Sequence, residues 1–164
     1  MKNLLTIILL FILTNGLAAG KIWKCINEDG KELFSIEAKN VSAFNDGLAV
    51  VSTAEVINNK WVYKKGFIDK TGKMVIKPQY DKVKGAGFVN GRAWVKKKNS
   101  KFWTLIDKEG NIIPTDTYEK VGYIFKSNSG LLAVYKNGKL GFIDENGKEV
   151  IECKYLGDTF FQQG

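Results

Sequence analysis

The sequence lacks histidine altogether and contains only two cysteines and two prolines among its 164 residues. The absence of histidine excludes Ser–His–Asp and Cys–His nucleophile systems and removes the commonest metal ligand in proteins. The two cysteines, Cys25 and Cys153, are too few to form a structural zinc site on their own. Any catalysis would therefore depend on carboxylates, lysine or tyrosine.

Long helical periodicity is also absent after residue 20, and the chain contains an internal repeat instead. Four segments share a pattern that is best preserved in GFIDKTGKMVIKPQYDKV, and they lie at residues 23–34, 66–83, 103–121 and 140–158. The aspartates of the I-D-x-x-G element are separated by steps of 38 and 37 residues, and they are Asp69, Asp107 and Asp144. A period of this length is typical of proteins built from stacked supersecondary units.

Each repeat is predicted to contain three short strands and a connector. Asn137-Gly138 between two apolar runs indicates a two-residue hairpin turn. The D-x-x-G element is expected to form a type I turn, in which the Asp side chain accepts backbone N–H hydrogen bonds and Gly takes the left-handed conformation. Pro78 and Pro114 are placed just past the third strand, where no ladder N–H is required.

The strands carry apolar residues on both faces, so neighbouring repeats are expected to cover them. We predict an all-β fold of about three and a half antiparallel β-meander repeats, each 37–44 residues long, stacked as an open, solenoid-like array. A closed barrel or a propeller-like ring is the alternative. One β-repeat domain is predicted at 21–164, with units at about 21–43, 44–87, 88–124 and 125–164.

Aromatic residues at fixed places in the repeats are predicted to form the core between repeats. These residues are Tyr80, Tyr118 and Tyr155, together with Phe88, Phe125 and Phe161. In an open array the two ends of the chain do not meet, so Cys25 and Cys153 are expected to be unpaired thiols.

Residues 1–20 have the features of a secretory signal peptide. A basic Lys2 precedes an apolar run from Leu4 to Leu13, and small residues precede a cleavage point before Lys21. An uncleaved membrane anchor is the alternative, although the run is only about half as long as a transmembrane helix requires. The protein is therefore expected to be exported, periplasmic or secreted, with no membrane span after cleavage.

The formal net charge is +8 at pH 7. A basic exported protein tends to meet anionic surfaces, although lysines spread over every repeat also serve simple solubility. The densest cluster lies in the hairpin at 96–101, and the hairpin before it carries an insertion at 52–60. The candidate binding surface consists of Trp61, Trp94, Lys96, Lys97, Lys98 and Lys101. Core burial of the tryptophans and a solvated basic turn are the alternatives.

The repeated elements resemble the WG repeat, also called the KWG repeat, of bacterial proteins. The resemblance rests on the segment 47–51 (GLAVV), on 66–76 (GFIDKTGKMVI), and on Tyr80-Asp81 with Val83. The Trp-Gly pair itself is nowhere intact, since Gly66 follows Lys65 and Trp103 precedes Thr104. The resemblance implies β-rich repeats and an interaction role, and it implies no catalytic residue.

These observations together predict an exported, non-enzymatic interaction module that acts as a monomer. Its expected partner is a protein or an anionic envelope polymer, and no nucleic acid, cofactor, metal ligand or catalytic residue is predicted. The turn position accounts for the repeated aspartates without an acid–base role. The alternative is a small carboxylate-based glycan hydrolase of the cell envelope.

Overall fold

The structure is a computed structural model that describes residues 8–12, 21–124 and 130–156, with the backbone alone at 8–12. These ranges consist of strands, turns and irregular segments, and none of them contains a helix long and apolar enough to cross a membrane. The predicted core residues Phe125 and Phe161, and most of the predicted signal peptide, lie outside the described residues.

The chain divides into two compact units, one up to Lys82 and the other from Val83 onward. The first unit holds two antiparallel sheets. The strands of its first sheet are β1 (Ile8–Ile12), β2 (Lys21–Ile26) and β3 (Glu32–Ala38). The strands of its second sheet are β4 (Asn40–Val41), β5 (Leu48–Ile57), β6 (Lys60–Asp69) and β7 (Met74–Tyr80).

Two further antiparallel sheets follow. The strands of the third sheet are β8 (Lys82–Val83), β9 (Ala93–Lys96), β10 (Trp103–Ile106) and β11 (Ile112–Tyr118). The strands of the fourth sheet are β12 (Lys120–Val121), β13 (Leu132–Lys136), β14 (Lys139–Ile143) and β15 (Glu149–Tyr155). Each sheet follows chain order from one edge to the other, so none of the described sheets closes into a barrel. The predicted all-β class of repeated antiparallel meanders is confirmed.

The first strand of each four-stranded sheet is a two-residue strand that the sequence did not predict. One residue separates β4, β8 and β12 from the third strand of the preceding repeat, and all three lie within the predicted connector. Val41 pairs with Val51, and Val121 pairs with Val134. Each hairpin is therefore paired along one edge by the end of the repeat before it.

The D-x-x-G turns form as predicted. The Oδ1 atom of Asp144 accepts hydrogen bonds from the backbone N–H groups of Asn146 and Lys148, each at 2.9 Å. Asp69, Asp107 and Asn27 accept the equivalent pair of bonds in their own turns. The glycine that ends each turn has a φ between 77° and 88°. The side-chain acceptor and the left-handed glycine thus determine this turn locally.

The third strand bulges against a glycine of the second strand. In the second sheet Lys65 pairs with Tyr80 and Phe67 pairs with Ile76. The segment of β7 between these two pairs is therefore two residues longer than the segment of β6 that it faces. The extra backbone of β7 lies directly over Gly66, where a Cβ atom would be 2.4 Å from the carbonyl oxygen of Ile76. A side chain at this position is therefore excluded by backbone atoms, which cannot rotate away.

The fourth sheet has the same bulge over Gly141, where a Cβ atom would be 2.7 Å from the backbone nitrogen of Cys153. Pro78 and Cys153 take equivalent places inside the two bulges. The prediction that Pro78 and Pro114 lie past the third strand is therefore wrong, since β7 and β11 continue through them. Proline fits there because a bulge interrupts the regular hydrogen bonding of the ladder.

The other two repeats have a different bulge and no glycine. In the third sheet, the two steps from Trp103 to Leu105 face a longer stretch of β11, and Thr104 stands between them. In the first sheet, Lys24 pairs regularly with Ser35. The glycine of the Trp-Gly pair is thus absent from the repeats where the third strand does not make this bulge, and Lys24 and Thr104 take its place.

The core lies between neighbouring sheets within each unit. In the first unit Trp23, Ala38, Val41, Val51 and Ile68 form a buried cluster that spans both sheets. In the second unit a larger cluster contains Trp94, Leu105, Tyr118, Val121, Leu132, Val134 and Ile143. This arrangement agrees with the prediction that adjacent repeats cover one another.

The predicted aromatic core is correct for Tyr80, Tyr118 and Phe88, which are all buried. It is wrong for Tyr155, which is 45% exposed. Tyr118 belongs to a cluster that includes residues of the fourth sheet, whereas no described sheet follows β15. Burial of Tyr118 therefore depends on the sheet that follows it within the second unit.

Candidate functional site

The basic cluster predicted from the sequence lies at the loop between β9 and β10, residues 97–102, which we call the basic loop. Its backbone is fixed by local hydrogen bonds. The N–H of Ser100 donates to the carbonyl oxygen of Lys97 at 3.2 Å, and the N–H of Phe102 donates to the Ser100 hydroxyl at 3.1 Å. Asn99 adopts the left-handed conformation with φ 62°, a region that asparagine tolerates better than most residues.

Lys96 at the end of β9 stabilises this loop instead of extending into solvent. Its Nζ donates to the carbonyl oxygen of Lys101 at 2.7 Å. The same Nζ lies 5.7 Å from the centre of the Trp103 ring, within the range of a cation–π contact. Lys96 therefore connects the two ends of the loop, and Trp103 supports it.

Lys97, Lys98 and Lys101 are the exposed cations of the basic loop. Among the described residues, no carboxylate forms an ion pair with any of these three side chains. Three like charges on one short loop produce a local positive potential that attracts anions. The positions of these lysines are consistent with either an anion-binding surface or a solvated turn.

Trp94 is not part of a surface. Its side chain is only 1% exposed and packs in the core of the second unit. It pairs with Leu105 across β9 and β10, where the fourth sheet pairs Ala133 with Phe142. The prediction of Trp94 as a surface residue is therefore wrong, because its larger volume fills space between the sheets.

Trp61 lies in the first unit on a hairpin that is longer than predicted. The segment 52–60 is predicted to be an insertion, but its first six residues continue β5 to Ile57, which pairs with Lys60 of β6. Asn58 and Asn59 form the two-residue turn with φ values of 51° and 56°, as a type I′ turn requires. Trp61 pairs with Val56 beside this turn and is 50% exposed. Its role in binding stays a prediction.

Further apolar residues lie beside Trp61 on the same face of the hairpin and were not predicted from the sequence. Val56 pairs with Trp61 and Ala54 pairs with Tyr63, and such paired positions share one face. Val56 is 57% exposed and Tyr63 is 44% exposed. We call Ala54, Val56, Trp61 and Tyr63 the apolar strip. The alternation of residues 52–65 and the Asn58-Asn59 pair were the signals that could have identified it.

The aspartates of the repeats accept hydrogen bonds within their own turns. Asp69 accepts from the Thr71 hydroxyl at 2.6 Å and from two backbone N–H groups. These bonds, led by the one from Thr71, hold the pKa of Asp69 below its ordinary value. A carboxylate stabilised in its charged form is a poor proton donor near neutral pH. The described residues contain no group of three acidic, cysteine or histidine side chains that could hold a metal ion.

Both cysteines are free thiols, as predicted. Burial raises the pKa of Cys25 and is also the largest cause of the raised pKa of Cys153. The Cys153 thiol lies 3.9 Å from the carbonyl oxygen of Val134. A raised pKa reduces the fraction of the reactive thiolate near neutral pH.

The family described as "WG containing repeat" matches residues 66–102, 103–139 and 141–155. The matched segments contain the second-strand glycines Gly66 and Gly141, the basic loop and the D-x-x-G turns of the last three repeats. No curated protein matches the chain.

Proposed function

The chain belongs to the WG repeat family, and on this premise we propose that it is an exported, non-catalytic interaction module that binds an anionic partner. The basic loop is the observation that carries the proposal. Its three exposed lysines have no ion-pair partner among the described carboxylates, and its backbone is held by its own hydrogen bonds. A fixed loop loses little conformational entropy when it binds.

The difference between the recurring positions, which build the fold, and the variable hairpin ends supports an interaction role. The residues that recur in each repeat make turns, bulges and core contacts, so their chemistry is already used by the fold. The hairpin ends differ among repeats in length and composition, as β5–β6 and the basic loop show. Repeat proteins commonly place recognition in such variable segments on one face.

The expected partner is an anionic envelope polymer or an acidic protein. The net charge of +8 favours association with negative surfaces. Residues 1–20 support export, which would place the basic loop among phosphate-bearing or carboxylate-bearing polymers outside the cytoplasm. The five residues Ile8–Ile12 pair with β2, so cleavage before Lys21 would leave β2 as an edge strand.

Capture on anionic supports tests this function. The protein recovered after export is passed over immobilised polyphosphate, immobilised poly-L-glutamate and neutral dextran. We expect retention on the two anionic supports, release by salt, and passage through dextran. Passage through all three supports would contradict the proposal.

Two further measurements complete the test. N-terminal sequencing of the exported protein is expected to find Lys21 or Gly20 first, and an intact Met1 in a membrane fraction would contradict export. Incubation with peptidoglycan and common glycans is expected to leave them unchanged. Clear turnover that one Asp or Glu substitution abolishes would replace the binding function with the hydrolase alternative.

A further inference from the structure

The outer part of the β5–β6 hairpin extends beyond the strands that flank it. β4 pairs only with Val51 and Ser52, and β7 reaches β6 no further out than Lys65. Residues 53–64 therefore pair only with each other among the described strands. We call this segment the ribbon; its residues from Glu55 to Trp61 are all exposed.

The two faces of the ribbon differ in character. One face carries the apolar strip, with Val56 and Trp61 next to the turn and Ala54 and Tyr63 behind them. The opposite face carries Glu55, Ile57, Lys60, Val62 and Lys64. On that face Lys64 forms an ion pair with Asp81 at 3.0 Å. The acidic side chain of the ribbon thus lies away from the apolar strip.

Basic side chains lie behind the strip and on the same side of the ribbon. The Nζ of Lys39 lies 3.4 Å from the centre of the Tyr63 ring. Lys65 follows Tyr63 by two residues along β6 and so shares its face. The face therefore carries apolar and aromatic groups at its tip and positive charges at its base.

We propose that the ribbon docks on an anionic lipid surface through the apolar strip. Trp and Tyr suit the boundary between lipid headgroups and acyl chains, because each combines a large apolar ring with a polar group. Lys39 and Lys65 are placed to meet lipid phosphates when the tip enters this boundary. The positive base matches a negative membrane surface, and Glu55, the acidic residue of the ribbon, lies on the opposite face.

The size of the strip favours lipid over a protein partner. A stable protein interface buries about 1,200 Å² or more in total. The strip has four side chains, one of them alanine, on a ribbon only two strands wide. Insertion of a few aromatic and aliphatic groups into a lipid boundary needs no complementary surface of fixed shape. The strip and the basic loop consist of different residues, so a ribbon variant that loses lipid binding while keeping polymer binding distinguishes the two proposals.

Co-sedimentation with lipid vesicles provides the first test. The exported protein is mixed with phosphatidylcholine vesicles, either pure or with roughly one-third phosphatidylglycerol. We expect sedimentation with the anionic vesicles only, and at least about tenfold weaker binding for Val56→Ser/Trp61→Ser. The matched control Ile112→Ser/Val150→Ser removes two comparably exposed apolar side chains from the second unit and is expected to bind like the native protein. Equal binding by the native and V56S/W61S proteins would overturn the proposal.

Fluorescence quenching locates the contact. Vesicles that contain brominated phosphatidylcholine are expected to quench the native tryptophan emission, and Trp61→Phe should lose this quenching while still sedimenting. Quenching that persists in W61F would place the lipid contact at another tryptophan and overturn the proposal. Analytical ultracentrifugation without lipid tests whether a second copy of the chain covers the apolar strip instead. A native dimer that V56S/W61S converts to monomers would assign the strip to a second copy of the chain instead.

Discussion

A Cβ atom on Gly147 would lie 2.2 Å from the carbonyl oxygen of Pro114. Gly147 ends the D-x-x-G turn of the fourth repeat, and Pro114 lies in β11 of the third. The turn therefore packs directly on the third strand of the preceding repeat. The equivalent glycine in the first unit is Gly72. A Cβ atom there would lie 2.5 Å from the Phe34 ring. The same small residue thus serves the turn conformation and the contact between repeats.

Gly147→Ala is expected to destabilise the protein more than Gly30→Ala. Both glycines have positive φ, but a Cβ atom on Gly30 would meet nothing within 4 Å. Strain alone should cost Gly30→Ala about 1 kcal/mol. Overpacking against the backbone at Pro114 should add about 1–3 kcal/mol for Gly147→Ala. Denaturant titration measures both values, and equal losses would contradict the contact between repeats.

Gly141→Ala tests the bulge of the third strand. The new methyl group would meet the carbonyl oxygen of Ile151 at 2.6 Å, so we expect a loss of about 1–3 kcal/mol in unfolding free energy. Thr104→Ala is the matched control, because the third repeat has no glycine at this position. Its effect should stay below about 1 kcal/mol. A Gly141→Ala protein as stable as Thr104→Ala would show that the backbone does not approach the glycine closely.

Asp69 should contribute to the loss of stability in acid. Its folded-state pKa lies below the ordinary value of 3.8, chiefly because of the hydrogen bond from the Thr71 hydroxyl. The contribution of ionised Asp69 to the unfolding free energy is therefore complete above the pKa of the unfolded state. It is lost as the pH falls through the pKa of the folded state. Asp69→Asn keeps the acceptor oxygen, as Asn27 does in the first repeat. Its denaturant midpoint should fall less than that of the native protein between about pH 5 and about pH 2.

Asp69→Ala provides the control for the turn itself. It removes both the charge and the acceptor, so it should lower stability near neutral pH more than Asp69→Asn. Parallel pH profiles for the native and Asp69→Asn proteins would mean that this carboxylate does not titrate abnormally.

The sequence was sufficient for the features that depend on local chemistry. Asp144 and Gly147 specify a turn through bonds made within five residues, so the turn and its period were predictable. The two-residue strand β4 was not predictable, because Asn40 and Val41 alone carry no strand signal. They form a strand only by pairing with β5. Gly66 was visible as a repeated glycine, but only the bulge of β7 shows why a side chain is excluded.

Some features of the candidate site could also be predicted from the sequence, and others could not. Lysine density predicted the basic loop, although Lys96 proved to be bound to the carbonyl oxygen of Lys101. Burial of Trp94 could not be predicted by comparing residue types in aligned repeats, since it depends on the space between two sheets. Trp61 was recognised as unusual, but its neighbours became visible only when the pairing of β5 with β6 was known.

The salt dependence of the affinity for polyphosphate tests the proposed function most directly. It is measured by titration calorimetry for the native protein, for K97Q/K98Q/K101Q, and for K82Q/K139Q/K148Q, which removes the same charge from exposed sites elsewhere. We expect native binding that weakens as salt rises from about 50 to about 300 mM. The basic-loop variant should bind about tenfold more weakly at low salt with a flatter salt dependence, a loss of about 1.4 kcal/mol, and the dispersed variant should resemble the native protein. Equal losses in the two variants would show that only net charge matters and would contradict recognition by the basic loop.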